Sequence, residues 1–329
     1  MAYYRYEENF RQKKIINNFI ENNFIDVNKI YFANGSLGDH SLNATLLPNI
    51  KDKNLYGLIV PENYLDFYKS FDIKEIRLVG IDHKSVNFFD NYFINNNDFI
   101  YNSNSNFKPL LPVYYPIISK LMDELCVLRV QDFTCFLLGI QKNSISYRQT
   151  NLNQLKIAIK NFIATKFNIH GNFVIIAPEQ NTLLGLGDDY WIELVAKLKN
   201  DINLPIIINS SSNFYDKIIN KNNIYNYLFP PHLIFAALSC SFISVLAPSG
   251  LSHFSQIFSD EGNIFVVSDW RNGDQVEQKF VKNEYVRSST QENIFDFVNI
   301  NNINFIRYNS NDSNNSVYDK LLNLITAKI

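Results

Sequence analysis

Short apolar runs alternate with amphipathic stretches along most of the chain. In the first half these runs lie at 29–33, 56–60 and 75–79, with helical spacing of apolar residues between them. A second series follows residue 171, with runs at 173–177, 205–209, 242–247 and 263–267. Short apolar runs separated by helices predict parallel strands, because parallel strands need a crossover connection. The pattern therefore predicts an α/β protein in two halves.

The organisation of the chain follows from this pattern. Prolines interrupt the middle of the chain, 119–139 is apolar and predicted helical, and 152–167 is predicted as a long amphipathic helix. We expect an N-terminal helical extension (1–28), a first Rossmann-like domain (29–155) and a second (156–329). A single large doubly wound sheet is the alternative. The extension is predicted to pack on the second domain, with a membrane surface or a partner as alternatives.

Composition narrows the class of protein. The 329 residues are 46% hydrophobic, enough to build two cores, and the formal net charge of −2 gives no footprint for nucleic acid. Three scattered cysteines, Cys126, Cys135 and Cys240, fit a reducing compartment better than a disulfide framework. The sequence has neither an apolar run long enough to span a bilayer nor a signal-peptide pattern, so we expect a cytoplasmic protein.

Glycine is scarce, and its positions mark three loops. Of the 11 glycines, five are Gly35, Gly38, Gly185, Gly187 and Gly250. A glycine that persists in so poor a composition meets a backbone need, either a positive φ or the close approach of a ligand. The three loops are therefore the candidate sites for catalysis and ligand binding.

The first loop, 33–40, follows the first predicted strand and has no dinucleotide or phosphate-loop motif. It carries Asp39 and His40 at the strand end where ligands bind in open α/β sheets. A carboxylate here can act as general base for a hydroxyl nucleophile. The alternative is that Asp39 caps the following helix.

The second loop, 247–253, joins a predicted strand to a helix. Ser249, Gly250 and Ser252 would bring hydroxyls and free N–H groups to a helix N-terminus, which favours anions. An ordinary serine cap with His253 packed beneath it is the alternative.

The third loop, 177–189, is long for a compact domain, and such loops are commonly functional. The adjacent Asp188 and Asp189 are a weak ligand set, and acidity at a helix N-terminus explains them as well. No metal site is expected.

Three motifs in the correct order resemble the bacterial ADP-heptose glycosyltransferases. They are Ser36-Leu-Gly-Asp-His with Ala44-Thr-Leu-Leu-Pro48, Asp189-Tyr-Trp-Ile-Glu-Leu194, and Ser249-Gly-Leu-Ser-His253. The likeness runs from about residue 29 to 270. It implies a GT-B fold: two Rossmann-like domains with parallel sheets facing each other across a cleft.

The resemblance also implies roles for residues. Asp39 would be the catalytic base, and the acceptor-side loop would include Ser36, Gly38 and His40. The donor would be held by residues of the second and third loops: Ser249, Gly250, Leu251, Ser252, His253, Gln180, Asn181 and Thr182.

The activity implied is that of an inverting, metal-independent glycosyltransferase without a cofactor. The donor would be a nucleotide-diphosphate sugar, with an ADP-linked sugar favoured and heptose as one candidate. The acceptor would be a surface glycan, lipopolysaccharide, another lipid-linked glycan or a glycoprotein, and peripheral contact with the inner membrane is compatible with this role. A nucleotide-sugar epimerase or hydrolase, or a non-catalytic scaffold with the same fold, are the alternatives.

Overall fold

The chain forms two compact units, Met1–Thr150 and Asn151–Ile329. The computed structural model describes residues 2–95, 106–110, 134–135, 137–141, 152–179, 186–219, 223–247, 249, 251–252, 255, 263–269, 303–308 and 313–327. Most of the helix predicted at 119–139 and of the one predicted after residue 252 lies outside these residues.

Within the described residues, the first unit is built around a parallel sheet of four strands in the order β3-β2-β1-β4. Its strands are β1 (Lys29–Ala33), β2 (Tyr56–Pro61), β3 (Arg77–Ile81) and β4 (Phe107–Leu110). Its helices are α1 (Ala2–Asn23), α2 (Leu37–Leu46), α3 (Leu65–Lys69) and α4 (His83–Asn95).

Two elements of this unit were not predicted, and one strand is displaced. The helix α4 is rich in aromatic and Asn residues, and β4 is a short edge strand that contains Pro109. Strand β3 begins two residues later than the apolar run predicts. Its first residue paired with β2 is Arg77, which lies opposite Gly57.

The extension α1 belongs to the core of the first unit. Ile16 is 1% exposed and packs in one apolar cluster with Phe24, Phe32 and Phe89. Phe19 meets the ring of Phe89 on α4 edge to face, with centroids 5.4 Å apart. The prediction that this helix packs on the second domain is therefore wrong, since its apolar face completes the hydrophobic layer over the first sheet.

The described part of the second unit is built around a parallel sheet of six strands in the order β10-β9-β8-β5-β6-β7. Its strands are β5 (Val174–Ala177), β6 (Ile206–Ile208), β7 (Ile224–Asn226), β8 (Ile243–Leu246), β9 (Ile264–Asp269) and β10 (Ile303–Tyr308). Its helices are α5 (Leu152–Phe167), α6 (Asp188–Ile202), α7 (Pro231–Cys240) and α8 (Asn314–Thr326).

The apolar pattern did not predict β7 and β10, the two outer strands of this sheet among the described residues. Edge strands pair on one side only and carry more polar residues, so their apolar pattern is weak. The central strands β5, β6 and β8 are buried along their whole length, which is why their pattern was clear.

In both units every described strand is parallel to its neighbours, so the loops that follow these strands lie at the carboxyl ends of the strands, on one side of each sheet. Of the three loops selected from the sequence, the first follows β1 of the first sheet, and the third and second follow β5 and β8 of the second sheet. Among the described helices, none is both long and apolar enough to cross a membrane.

Candidate functional site

Asp39 lies in the first turn of α2, directly after β1. Ser36 is the N-cap residue of this helix, with extended backbone angles of φ −78° and ψ 172°. The Asp39 Oδ2 atom accepts two hydrogen bonds from Ser36, one from its backbone N–H and one from its hydroxyl, both at 2.8 Å. Asp39 therefore stabilises the start of the helix through Oδ2, and this arrangement leaves Oδ1 to meet another group.

Gly35 is required by the position of this carboxylate. Its φ is +128°, a backbone conformation that residues with a side chain rarely adopt. A Cβ atom placed there would lie 2.5 Å from Oδ2 of Asp39. Gly38 occupies the first turn of α2, so of these two glycines only Gly35 has the positive φ that its scarcity suggested.

The surroundings of Asp39 make its carboxylate a stronger base. Burial raises the pKa of Asp39 above its usual value, and the hydrogen bonds from Ser36 oppose this effect only in part. Since a general base works best with a pKa near the working pH, a rise in this direction favours proton abstraction.

His40 faces the protein interior, which corrects the expectation that it lies on the acceptor side of the loop. Its side chain is fully buried, with Nδ1 3.0 Å from the Tyr68 hydroxyl and the ring stacked on Tyr64 at 3.7 Å between centroids. Burial lowers the pKa of His40 to about 3, so the imidazole is neutral near pH 7. A sealed, neutral side chain cannot contact an acceptor directly.

Tyr64 and Tyr68 are part of this site, and sequence reasoning did not select them. They stand one helical turn apart after β2, and both pKa values are raised by burial and, to a smaller extent, by the charge of Asp39. For Tyr64 the pKa rises to about 12. Two tyrosines four residues apart after a buried strand lie on one face of a helix, and this spacing was the sequence feature that could have identified them.

The loop after β8 is held together by serine hydroxyls. The Ser249 N–H donates to Oγ of Ser252 at 2.9 Å, and that hydroxyl donates back to the Ser249 carbonyl at 2.9 Å. Ser252 is 2% exposed and Leu251 is also buried, whereas Ser249 is half-buried. The serine-cap alternative thus accounts for Ser252, and Ser249 is the loop serine with an accessible side chain. Gly250 and His253 lie outside the described residues.

The third loop is described only at its ends. Gln180, Asn181 and Thr182 lie outside the described residues. At its far end, Asp188 opens α6 and accepts a hydrogen bond from the Tyr215 hydroxyl at 3.1 Å. Within the described part of the chain, no three potential ligands among His, Cys, Asp and Glu are grouped around a metal position.

Glu179, at the near end of this loop, is a further polar residue at the carboxyl edge of the second sheet. Its Oε1 accepts from the Ser210 hydroxyl at 2.5 Å and from the N–H of Ser211 at 2.7 Å. Glu179 follows β5 and the serines follow β6, which are neighbouring strands. Glu179 and the two serines are 31 and 32 residues apart in sequence and meet because β5 pairs with β6, so the sequence alone did not indicate this group.

Comparison with known proteins supports the fold at low sequence identity. No protein-family model matches the chain, and no characterised protein matches it in sequence. The structure of a glycosyl transferase family 9 protein from Veillonella parvula aligns with 92% of this chain and 98% of its own, at 10% identity and a TM-score of 0.55.

Two Escherichia coli enzymes align in the same way. ADP-heptose lps heptosyltransferase II covers 91% of this chain and 99% of its own, at 10% identity and a TM-score of 0.53. Heptosyltransferase WaaC, solved with ADP, covers 92% of this chain and 100% of its own, at 12% identity and a TM-score of 0.51. The chain is therefore heptosyltransferase-like in architecture, an α/β protein with the GT-B fold and two parallel sheets.

Proposed function

We propose that this chain is a glycosyltransferase that moves a sugar from a nucleotide-diphosphate donor to a hydroxyl group of an acceptor. The observation that carries the proposal is the Asp39 carboxylate, which Ser36 holds through one oxygen at the carboxyl end of β1. The shared fold with glycosyltransferases supports it, since ligands of open α/β sheets bind at this edge.

In the proposed reaction, Asp39 takes the proton from the acceptor hydroxyl as that oxygen forms a bond to the anomeric carbon of the donor. The bond between the anomeric carbon and the diphosphate oxygen breaks, and the nucleoside diphosphate leaves with the electron pair. Direct attack from the opposite face inverts the anomeric centre. The raised pKa of Asp39 assists the proton transfer.

We propose that the second unit holds the donor through the loops after β5 and β8. Ser249 would offer its hydroxyl to the diphosphate, while Ser252 keeps the loop in shape. An ADP-linked sugar is the first donor to test, because the similar WaaC structure was solved with ADP. Heptose is one candidate for the sugar, and a surface glycan, lipopolysaccharide or glycoprotein is the proposed acceptor.

The proposal is tested with the purified full-length chain and ADP-, UDP- and GDP-linked sugars. We expect calorimetry to detect binding of one nucleoside diphosphate, and its release from the matching sugar to accelerate when acceptor glycans are added. Release that is equally fast without acceptor would indicate a hydrolase instead. Binding of none of the three nucleotides would indicate a scaffold and would contradict the proposal.

A further inference from the structure

The ring of Tyr64 is fixed beside the candidate base. It stacks on His40, the residue that follows Asp39 in α2, with the two ring planes 28° apart. Tyr64 is half-buried, so its ring is not sealed within the core as Phe67 and Tyr68 are. The side chain next to the base on this side is thus an aromatic ring of fixed orientation.

His40 carries a polar atom that the packing alone does not explain. Its Nε2 is buried and has no hydrogen-bond partner, although Nδ1 is satisfied by Tyr68. Because an unpartnered buried nitrogen is unfavourable, such atoms in native proteins call for an explanation beyond packing. The stack of His40 under Tyr64 therefore leaves a buried polar nitrogen unpaired next to the candidate base.

The described segments that follow the strands of the first sheet carry more acidic than basic residues. Helices α2, α3 and α4 and the turns that lead into them form the described carboxyl edge of the first sheet around residues 34–46, 62–69 and 82–95. Their acidic residues are Asp39, Glu62, Asp66, Asp82 and Asp90, and their lysines are Lys69 and Lys84.

The two lysines do little to offset this charge. Lys69 is already paired with Asp66 at 3.3 Å, and Lys84 neighbours Asp82. Asp90 accepts a hydrogen bond from Asn34, which places its charge next to the loop that carries Asp39. An anionic group bound here would meet the charge of five carboxylates against two lysines, one of which is already paired.

We propose that the acceptor sugar bound beside Asp39 is uncharged and sits against the ring of Tyr64. The aromatic ring offers an apolar surface to the C–H face of a sugar, while carboxylates accept hydrogen bonds from its hydroxyls. A sugar with a carboxylate or phosphate at this position is disfavoured by the surrounding acidic residues. This inference rests on the proposed function, because it specifies the acceptor of that same site.

The experiment compares matched pairs of methyl glycosides by saturation-transfer NMR on the full-length chain. The pairs are glucoside and glucuronide, galactoside and galacturonide, and mannoside and mannuronide. The two members of a pair differ only in the group attached to C5, which is a hydroxymethyl in the neutral sugar and a carboxylate in the acidic one. We expect at least one neutral member to bind on the order of tenfold more tightly than its acidic partner.

Four substitutions separate the contributions of charge and ring. Glu62→Lys should narrow the preference for the neutral sugar. Glu75 is also exposed but precedes the amino end of β3, so Glu75→Lys should leave the preference unchanged. Tyr64→Ala should abolish binding of the neutral sugar and Tyr64→Phe should retain it, because Phe keeps the ring and its stack on His40.

The outcomes distinguish this inference from the proposed function. Equal or tighter binding of the acidic sugars, absence of binding by all neutral sugars, or loss of the preference in Glu75→Lys as in Glu62→Lys would each overturn the inference. Nucleotide binding and sugar transfer, measured separately, would stand in those cases. A chain that binds neutral glycosides but no nucleotide would instead overturn the proposed function.

Discussion

Single side chains at the start of α2 combine structure and chemistry. Asp39 uses one carboxylate oxygen to hold the turn at Ser36, and its burial raises the pKa of the same group. His40, the next residue, points into the core and stays neutral. Of these two consecutive residues, His40 is sealed in the core and Asp39 is only half-buried, so Asp39 is the one placed to meet a substrate.

Replacing Asp39 tests the assignment of the base. Asp39→Asn keeps an oxygen that can accept from Ser36 but removes the charge, so we expect transfer to fall by about 10²- to 10⁴-fold. Because the raised pKa means that the buried carboxylate is unfavourable near neutral pH, thermal stability should be unchanged or slightly higher. Near wild-type transfer by a folded variant, measured with the authentic donor, would contradict the assignment.

Gly35→Ala tests whether the turn positions this carboxylate. The new Cβ would overlap with Asp39 Oδ2, and the positive φ would be strained, so we expect a loss of about 1–3 kcal/mol in unfolding free energy together with reduced transfer. Gly171→Ala is the matched control, since nothing lies within 4 Å of its added Cβ and it lies outside the three loops. Chemical denaturation of both variants measures the difference.

The titration of His40 predicts how stability depends on pH. The folded pKa of about 3 lies below the unfolded value of about 6.5, so the unfolded chain binds the proton more readily and stability falls as pH drops below 6.5. Between pH 7 and 5 this single group should contribute a loss of about 2 kcal/mol. His40→Phe retains an aromatic ring against Tyr64 but has no group to protonate. Its unfolding free energy, measured by denaturant titration at pH 7 and pH 5, should therefore fall by about 2 kcal/mol less than that of the wild type. Equal pH dependence in both proteins would argue against a buried neutral imidazole.

At the scale of elements, the N-terminal helix α1 packs one face into the core of the first unit and exposes the other. Ile16 is 1% exposed and joins the apolar cluster of the first unit, whereas its neighbour Ile15 is 47% exposed. The sequence predicted the helix but not the surface that it covers, since apolar spacing identifies a buried face without naming its partner. The pairing of α1 with α4 follows from the aromatic residues of both helices.

This pair of isoleucines provides a direct test of the packing of α1. Ile16→Ala should destabilise the protein by about 2–5 kcal/mol, because it leaves a cavity in a closed core. Ile15→Ala should change the unfolding free energy by no more than about 0.5 kcal/mol, since that side chain is exposed. Similar effects of the two substitutions would contradict the orientation of the helix.

At the scale of the whole molecule, each unit has its own parallel sheet and its own described core. The first unit supplies Asp39, and the second supplies the loops proposed to hold the donor. The proposed transfer would therefore need both units, whereas nucleotide binding is proposed to depend on the second. Binding of the donor should consequently be measurable as a stabilisation of the folded state.

The proposed donor and the proposed absence of a metal requirement are tested together by thermal unfolding and activity. A bound nucleoside diphosphate at about 100 times its Kd should stabilise the chain by about 2.7 kcal/mol. Ser249→Ala should weaken this effect at a fixed nucleotide concentration. The addition of EDTA should leave both the stabilisation and the transfer unchanged, and a loss of transfer that magnesium restores would contradict metal independence.

The sequence by itself determined the alternation of strands and helices and the position of the loop with Asp39. Buried parallel strands are continuous apolar runs, and a glycine required by backbone geometry stands out in a chain with so few. Only the tertiary structure decided which strands are neighbours, which loop residues face inward, and what α1 covers. The group formed by Glu179, Ser210 and Ser211 and the burial of His40 both depend on contacts between residues distant in sequence, and local periodicity carries no information about such contacts.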